Sequence, residues 1–218
     1  MTAPLQLHRD DRPRGTGRLE AGTVSAPEQL APVRETPLPT VGAHPPLFAV
    51  LGAHGGAAAS TLARWWAPAA DTGLAWPGSP RTTQLVIVAA RLCMPGLTAA
   101  ADRLREWHAG LAPDGVQVIG LVLTAARPGR VPMVVRRYRS VVAQLVEHVY
   151  QIAWHDELLS CELTDLAQYV PFDPPPPRRS RLTDTVPPDV HHAGTQIITH
   201  LAATHIDAAA QHDSELTP

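Results

Sequence analysis

Apolar residues in this chain gather into short runs separated by small, polar and proline-rich stretches. Leu47 to Leu51 is the first run, rich in β-formers and followed by Gly52, and it predicts a buried strand. Small residues continue to Ala59, and Ser60-Thr61 then reads as a helix start. Residues 68–83 are interrupted by prolines and glycines and read as loop. Gln84 to Ala90 predicts a second strand, apolar on both faces, as in a parallel sheet covered on both sides. Pro95-Gly96 marks a turn, and Leu97 to Leu111 predicts a helix with Leu97, Ala101 and Leu104 along one face. Val116 to Thr124 is the third strand. Val131 to Val149 predicts a long amphipathic helix, with a stripe through Val134, Val135, Val141, Val142, Leu145 and Val149. Tyr150 to Trp154 predicts a short fourth strand, Asp156 to Tyr169 a mainly helical segment, and His191 to Gln211 a last helix.

Strand and helix therefore alternate four times, which argues for an α/β fold with a parallel sheet flanked by helices. Residues 1–45 are rich in Pro, Gly, Thr and charge without periodicity, and read as a disordered N-terminal tail. The folded unit spans 46–170. A proline-rich linker covers 171–189 and should be a stiff polyproline II spacer, followed by a C-terminal helix over 190–211 and a tail over 212–218. A hydrophobic fraction of 44% in 218 residues suffices for one core, carried by Ala, Val and Leu because aromatics make up only 5%. A net charge of −2 gives no global attraction to nucleic acid or anionic lipid. Only Cys93 and Cys161 occur, with no metal-ligand spacing, and neither a signal peptide nor a membrane span is evident. The expectation is a cytoplasmic protein.

The chemistry suggested by the pattern lies in the turn Ala53-His54-Gly55-Gly56-Ala57-Ala58-Ala59-Ser60-Thr61. A glycine-rich turn between a buried strand and a helix presents backbone N–H groups to an anion. This turn resembles the deviant P-loop of MinD/ParA-type ATPases, whose motif reads KGGxGKTT. His54 stands at the signature lysine, Gly55 and Gly56 match, and Ala57 is the free position. Ala58 replaces a glycine, Ala59 replaces the phosphate-binding lysine, and Ser60-Thr61 match the hydroxyl pair. The resemblance continues through LVIVAARLCMPGLTAAADRLREW, VQVIGLVLTAARPGR and HVYQIAWHDELL, and so covers residues 47–160. The turn is also similar to the HGGAxxST-type loop of small proteins from high-GC bacteria.

The resemblance implies a reduced P-loop NTPase-like fold, with ATP or another nucleotide held by His54 to Thr61 and Mg²⁺ held by Ser60. The departures point away from catalysis. Both family lysines are missing. The stretch between Thr61 and Gln84 is expected to be too short for the two strands that bear the family's Walker A′ and Walker B aspartates, and Asp71, its only acid, is expected in a loop. His54 could supply a lysine's charge only when protonated, and reads better as a turn residue. The implied function is a non-catalytic nucleotide- or partner-binding regulatory protein, a pseudo-ATPase of MinD/ParA type working through a homodimer or a protein partner. Two alternatives stay open. One is a weak NTPase whose lysine role is supplied elsewhere, and the other is a structural interaction module whose glycine turn merely joins strand to helix.

Other constellations weigh less. Arg127, Arg130, Arg136, Arg137 and Arg139 could contact nucleic-acid phosphates, although the solvated face of a helix explains them as well. Arg178, Arg179 and Arg181 form a second basic stretch. His191, His192, His200, His205 and His212 do not follow the three- or four-residue spacing a helical metal site needs. Trp65 and Trp66 read as packing on the sheet.

Overall fold

The computed structural model describes residues 25–40, 44–177 and 180–215, of which 204–215 are described as backbone only. In chain order the elements are β1 (Val33–Arg34), β2 (Phe48–Gly52), α1 (Ala59–Trp65), β3 (Ala69–Gly73), β4 (Trp76–Pro77) and β5 (Leu85–Arg91). There follow α2 (Met94–His108), β6 (Gln117–Thr124), α3 (Met133–Val142), β7 (Val149–Ile152) and α4 (Pro188–Glu215). Five strands form one parallel sheet in the order β3–β2–β5–β6–β7. The apolar runs form its interior because both of their faces are covered. Val86, Val88 and Ala90 of β5 pack with Leu97, Ala100 and Leu104 of α2 and with Val135 and Val142 of α3. Ile87 and Ala89 point the other way, into a layer with Leu62 and Trp65 of α1, Trp66 just after it, and Val190, Ala193 and Ile197 of α4. The period-2 alternation of a strand thus feeds two separate cores.

Several expectations change. Residues 68–83 do not form a loop throughout: Ala69–Gly73 is an edge strand paired with β2, in register from Phe48 opposite Ala69. Its AADTG sequence lacks a β-forming run, and the strand owes its existence to its neighbour. Asp156 to Tyr169 is not a helix but two short 3₁₀ turns, Asp156–Leu159 and Leu163–Asp165. After them, the Tyr169 N–H donates to the Trp65 carbonyl. The helix expected to reach Val149 ends at Val142, tightens through Ala143–Leu145 and becomes extended at Val146, which lets Val149 enter the sheet. Helix α2 begins at Met94, with Pro95 in its first turn and Gly96 inside it rather than in a turn. A Cβ at Gly96 would lie 2.2 Å from the Arg91 carbonyl oxygen, so glycine is what lets α2 approach the end of β5.

The N-terminal region also differs from a disordered tail. Its residues 1–24 and 41–43 lie outside the described residues, but 25–40 do not hang free. β1 pairs in parallel with β4, Leu38 is 3% exposed, and the Ala31 N–H donates to the Glu106 carboxylate at 2.9 Å. Arg103 Nη2 donates to the Gln29 carbonyl at 2.8 Å and Nη1 pairs with Glu106 at 2.6 Å. An acid and a base buried on α2 therefore hold a strap of chain that has no apolar pattern of its own. Among the described residues no helix is long and apolar enough to cross a membrane.

Candidate functional site

The chain leaves β2 through α1 to β3 on one side of the sheet, and leaves β5 through α2 to β6 on the other. β2 and β5 are neighbours, so their carboxyl ends flank a topological switch point, where open α/β sheets leave a crevice for ligands. The glycine turn after β2 and the chain after β5 meet there. The Arg91 N–H donates to His54 Nε2 at 3.2 Å. A backbone N–H can only donate, so Nε2 is unprotonated and Nδ1 carries the hydrogen that meets the Gly55 carbonyl at 2.7 Å. His54 therefore fastens the turn, with both ring nitrogens engaged by backbone groups.

Ala57 is buried, and Gly55 and Gly56 are exposed, with Gly56 at φ +78°. Ala58 has φ 68° and ψ 23°, the left-handed conformation that costs a residue with a Cβ about 1–2 kcal/mol. The backbone thus keeps a glycine shape where the side chain is alanine. Ala59 is buried at the start of α1 and offers no charge. Thr61 is half-buried and faces a cavity beside the turn.

Ser60 Oγ donates to Asp71 Oδ2 at 2.5 Å, and Asp71 Oδ1 accepts the Gly73 N–H at 2.7 Å. This corrects the reading of Asp71 as a loop residue. It lies on β3, next to the strand that delivers the glycine turn, and is aligned with Val50 in register. A hydroxyl and a carboxylate are held together at the rim of the turn, both reachable by solvent.

The adjoining cavity has a volume of about 300 Å³ and opens beyond the ends of β5, β6 and β7. Its lining includes Thr61, Trp65, Arg91, Thr124, Trp154 and His155, with Leu158, Cys161 and Leu166 among the apolar walls. Arg91 Nε donates to the Gly56 carbonyl at 2.8 Å and Nη1 to the Ala125 carbonyl at 3.0 Å, while the guanidinium sits 5.8 Å from the Trp154 ring centroid. His155 pairs with Asp189 at 3.2 Å. Burial raises the Asp189 carboxyl, but bonds from His155 and from the Ala153 N–H outweigh it and hold the group below its usual value. Trp65 is 1% exposed, and its indole N–H has no partner. Trp66, by contrast, donates to the Val190 carbonyl at 3.0 Å and packs on Phe48.

The remaining expected residues lie apart. Arg127 and Arg130 are exposed in the β6–α3 connection, Arg136 and Arg137 are exposed on α3, and Arg139 is half-buried with Nη1 donating to Gln151. Arg181 is exposed, and Arg178 and Arg179 lie outside the described residues. His191 bonds to the Asp173 carbonyl and His200 stacks on His148 at 3.7 Å, whereas the side chains of His205 and His212 are outside the description. Among the described residues no group of three or more His, Cys, Asp or Glu is arranged to hold a metal ion. Sequence reasoning missed Arg91, Trp154 and the role of Asp71. One signal was available: the chain contains no lysine at all, so any fixed cation other than histidine must be an arginine. Arg91 is the arginine that directly ends an apolar strand. Comparison with family models, curated proteins and solved structures finds no match for this chain.

Proposed function

We propose that this protein is a non-catalytic nucleotide-binding protein of MinD/ParA type, a reduced P-loop NTPase-like fold that retains the phosphate turn and has lost hydrolysis. The observation that carries the reading is the Ser60–Asp71 pair, set beside the Gly55-Gly56 turn at the switch point of the sheet. A hydroxyl and a carboxylate are the hard oxygen donors Mg²⁺ prefers, and Mg²⁺ usually completes its shell with ligand phosphates and water. Ser60 and Asp71 therefore fit such an ion when a nucleotide brings it, and the ion would offset part of the phosphate charge. This chain's own contribution is to hold the turn in shape through His54 and Arg91 and to orient Ser60 through Asp71.

Loss of chemistry follows from the same residues. Ala59 stands where a lysine would stabilise the transferring phosphoryl group, and removing a preorganised charge of that kind costs several kcal/mol of transition-state stabilisation. Binding without turnover suits a regulatory protein that acts through a partner or a second copy of itself. The test is calorimetric titration with ATP, ADP and GTP, with and without Mg²⁺, on the wild type, Asp71→Asn and Gly56→Val. Binding that Mg²⁺ strengthens and that both substitutions abolish supports the reading. Mg²⁺-independent binding that both variants retain would sink it. A phosphate-release assay completes the test: turnover above the uncatalysed rate would restore the weak NTPase.

A further inference from the structure

We infer that Arg91 is the phosphate-holding residue of this site, and that the ligand is a nucleoside monophosphate with its heterocyclic ring in the cavity and its single phosphate on the guanidinium. The inference rests on the nucleotide-binding reading above and narrows it.

Fixed positive charge is scarce here. With no lysine in the chain, only arginine or histidine can offset a phosphate. Both ring nitrogens of His54 are engaged by backbone groups, and the His155 ring is engaged with Asp189. Among the cavity's lining residues that leaves Arg91, which has no carboxylate partner among the described residues, and no carboxylate lines the cavity. A guanidinium has five N–H donors, and carbonyls take two of those on Arg91. Those two bonds fix its plane against the turn, so the remaining donors are preorganised for a two-oxygen acceptor.

The second observation is the aromatic lining. Trp65 and Trp154 both form part of the cavity wall, and the Trp154 ring centroid lies 5.8 Å from the Arg91 guanidinium. The cavity thus sets an aromatic surface beside the free donors of Arg91. A heterocycle that stacks on the rings and carries one anionic group answers both.

Size and charge limit the ligand further. A cavity of about 300 Å³ is at the lower end of the small-molecule range. A phosphate monoester brings about two negative charges and a triphosphate roughly twice that. Among the cavity's lining residues one guanidinium stands against them, which is nearer to the smaller charge.

The experiment is calorimetric titration of the full chain with AMP, GMP, adenosine, guanosine and ATP with Mg²⁺, alongside tryptophan fluorescence, since Trp65 and Trp154 line the cavity. At least one monophosphate should bind at least tenfold more tightly than its own nucleoside, and at least as tightly as Mg²⁺-ATP. Arg91→Gln should weaken that monophosphate at least tenfold, with Arg91→Lys in between. The comparison of nucleotide with nucleoside needs no variant, and so stands even if Arg91→Gln loosens the turn. Equal binding of nucleotide and nucleoside, full affinity in a folded Arg91→Gln, or no binding at millimolar concentration would overturn the inference. Tighter Mg²⁺-ATP binding that depends on Asp71 and not on Arg91 would overturn it while leaving the parent reading intact. Monophosphate binding that depends on Arg91, with no effect of Asp71→Asn or Gly56→Val, would keep this inference and remove the parent.

Discussion

Two arginines of this molecule sit in opposite circumstances. Arg103 lies on α2, almost fully buried, with Nη1 against Glu106 and Nη2 on the Gln29 carbonyl. Glu106 is 1% exposed and also accepts the Ala31 N–H. That charge has its counter-ion built in, and the pair's result is structural: it ties residues 29–31 to the domain. Arg91 ends β5 half-buried, bonds only to carbonyls, and faces a cavity without a carboxylate. A fold that buries a charge for stability supplies the partner. Among the described residues Arg91 has no acid beside it at the sheet's switch point, and its free donors are those the proposed phosphate would take.

The largest effect that would break this contrast is on stability. Glu106→Ala leaves the Arg103 charge buried without its acid, and removing one partner of a buried pair costs about 3–5 kcal/mol. Arg91→Gln removes solvent-accessible bonds to two carbonyls and should cost about 1 kcal/mol. Urea unfolding followed by tryptophan fluorescence measures both. Limited proteolysis should also cut residues 25–40 faster in Glu106→Ala alone. Equal losses in the two variants would mean that Arg91 is as structural as Arg103, and the functional reading of its missing partner would fall.

The two arginines also mark what the sequence could and could not convey. Strands β2, β5 and β6 were legible because their neighbours on both sides are apolar and their runs say so. β3 was not, since Ala69-Ala70-Asp71-Thr72-Gly73 has no strand pattern and forms one through pairing with β2. With β3 hidden, Asp71 could not be placed beside Ser60, and half of the candidate site went unseen. The glycine turn was readable from its spacing. Arg91 was not, because its role depends on three elements, β2, β5 and β6, converging at one end of the sheet. The strap over 29–38 was hidden for a similar reason: a buried ion pair on another element, not local propensity, orders it.

A third buried polar group extends the comparison to an uncharged side chain. The Tyr150 hydroxyl lies 2.9 Å from His200 Nδ1, between β7 and α4. Burial first, and the Glu147 carboxylate second, push its pKa up to about 12 from 10.0. The neutral phenol is thus favoured in the folded protein. Its contribution is fully present below pH 10 and is lost as pH rises towards 12, by at most about 3 kcal/mol. No lysine titrates in that window, so the loss can be read cleanly. Tyr150→Phe should flatten the alkaline decline of the melting temperature, and an unchanged decline would mean that Tyr150 is not its source. The α4 side would then respond to base while the Arg91 cavity, without a tyrosine in its wall, would not.

The smallest effect tests the turn itself. Ala58 holds φ 68°, a conformation that glycine adopts without strain. Ala58→Gly removes a left-handed strain of about 1–2 kcal/mol but gives the unfolded chain more freedom, which returns roughly 0.4–1 kcal/mol. The net should be a stabilisation of about 1 kcal/mol or less, seen as a small rise in denaturation midpoint with an unchanged slope. A destabilised variant would mean that the Ala58 methyl, which faces the cavity, packs against its wall and that this contact outweighs the strain. The sign also bears on ligand binding. If the strain is real, the alanine has been kept despite it, and Ala58→Gly should weaken monophosphate binding by loosening the turn that Arg91 grips through the Gly56 carbonyl. If binding is unchanged while stability rises, the turn's shape is set by His54 and Arg91 alone, and Ala58 is a tolerated residue rather than a useful one.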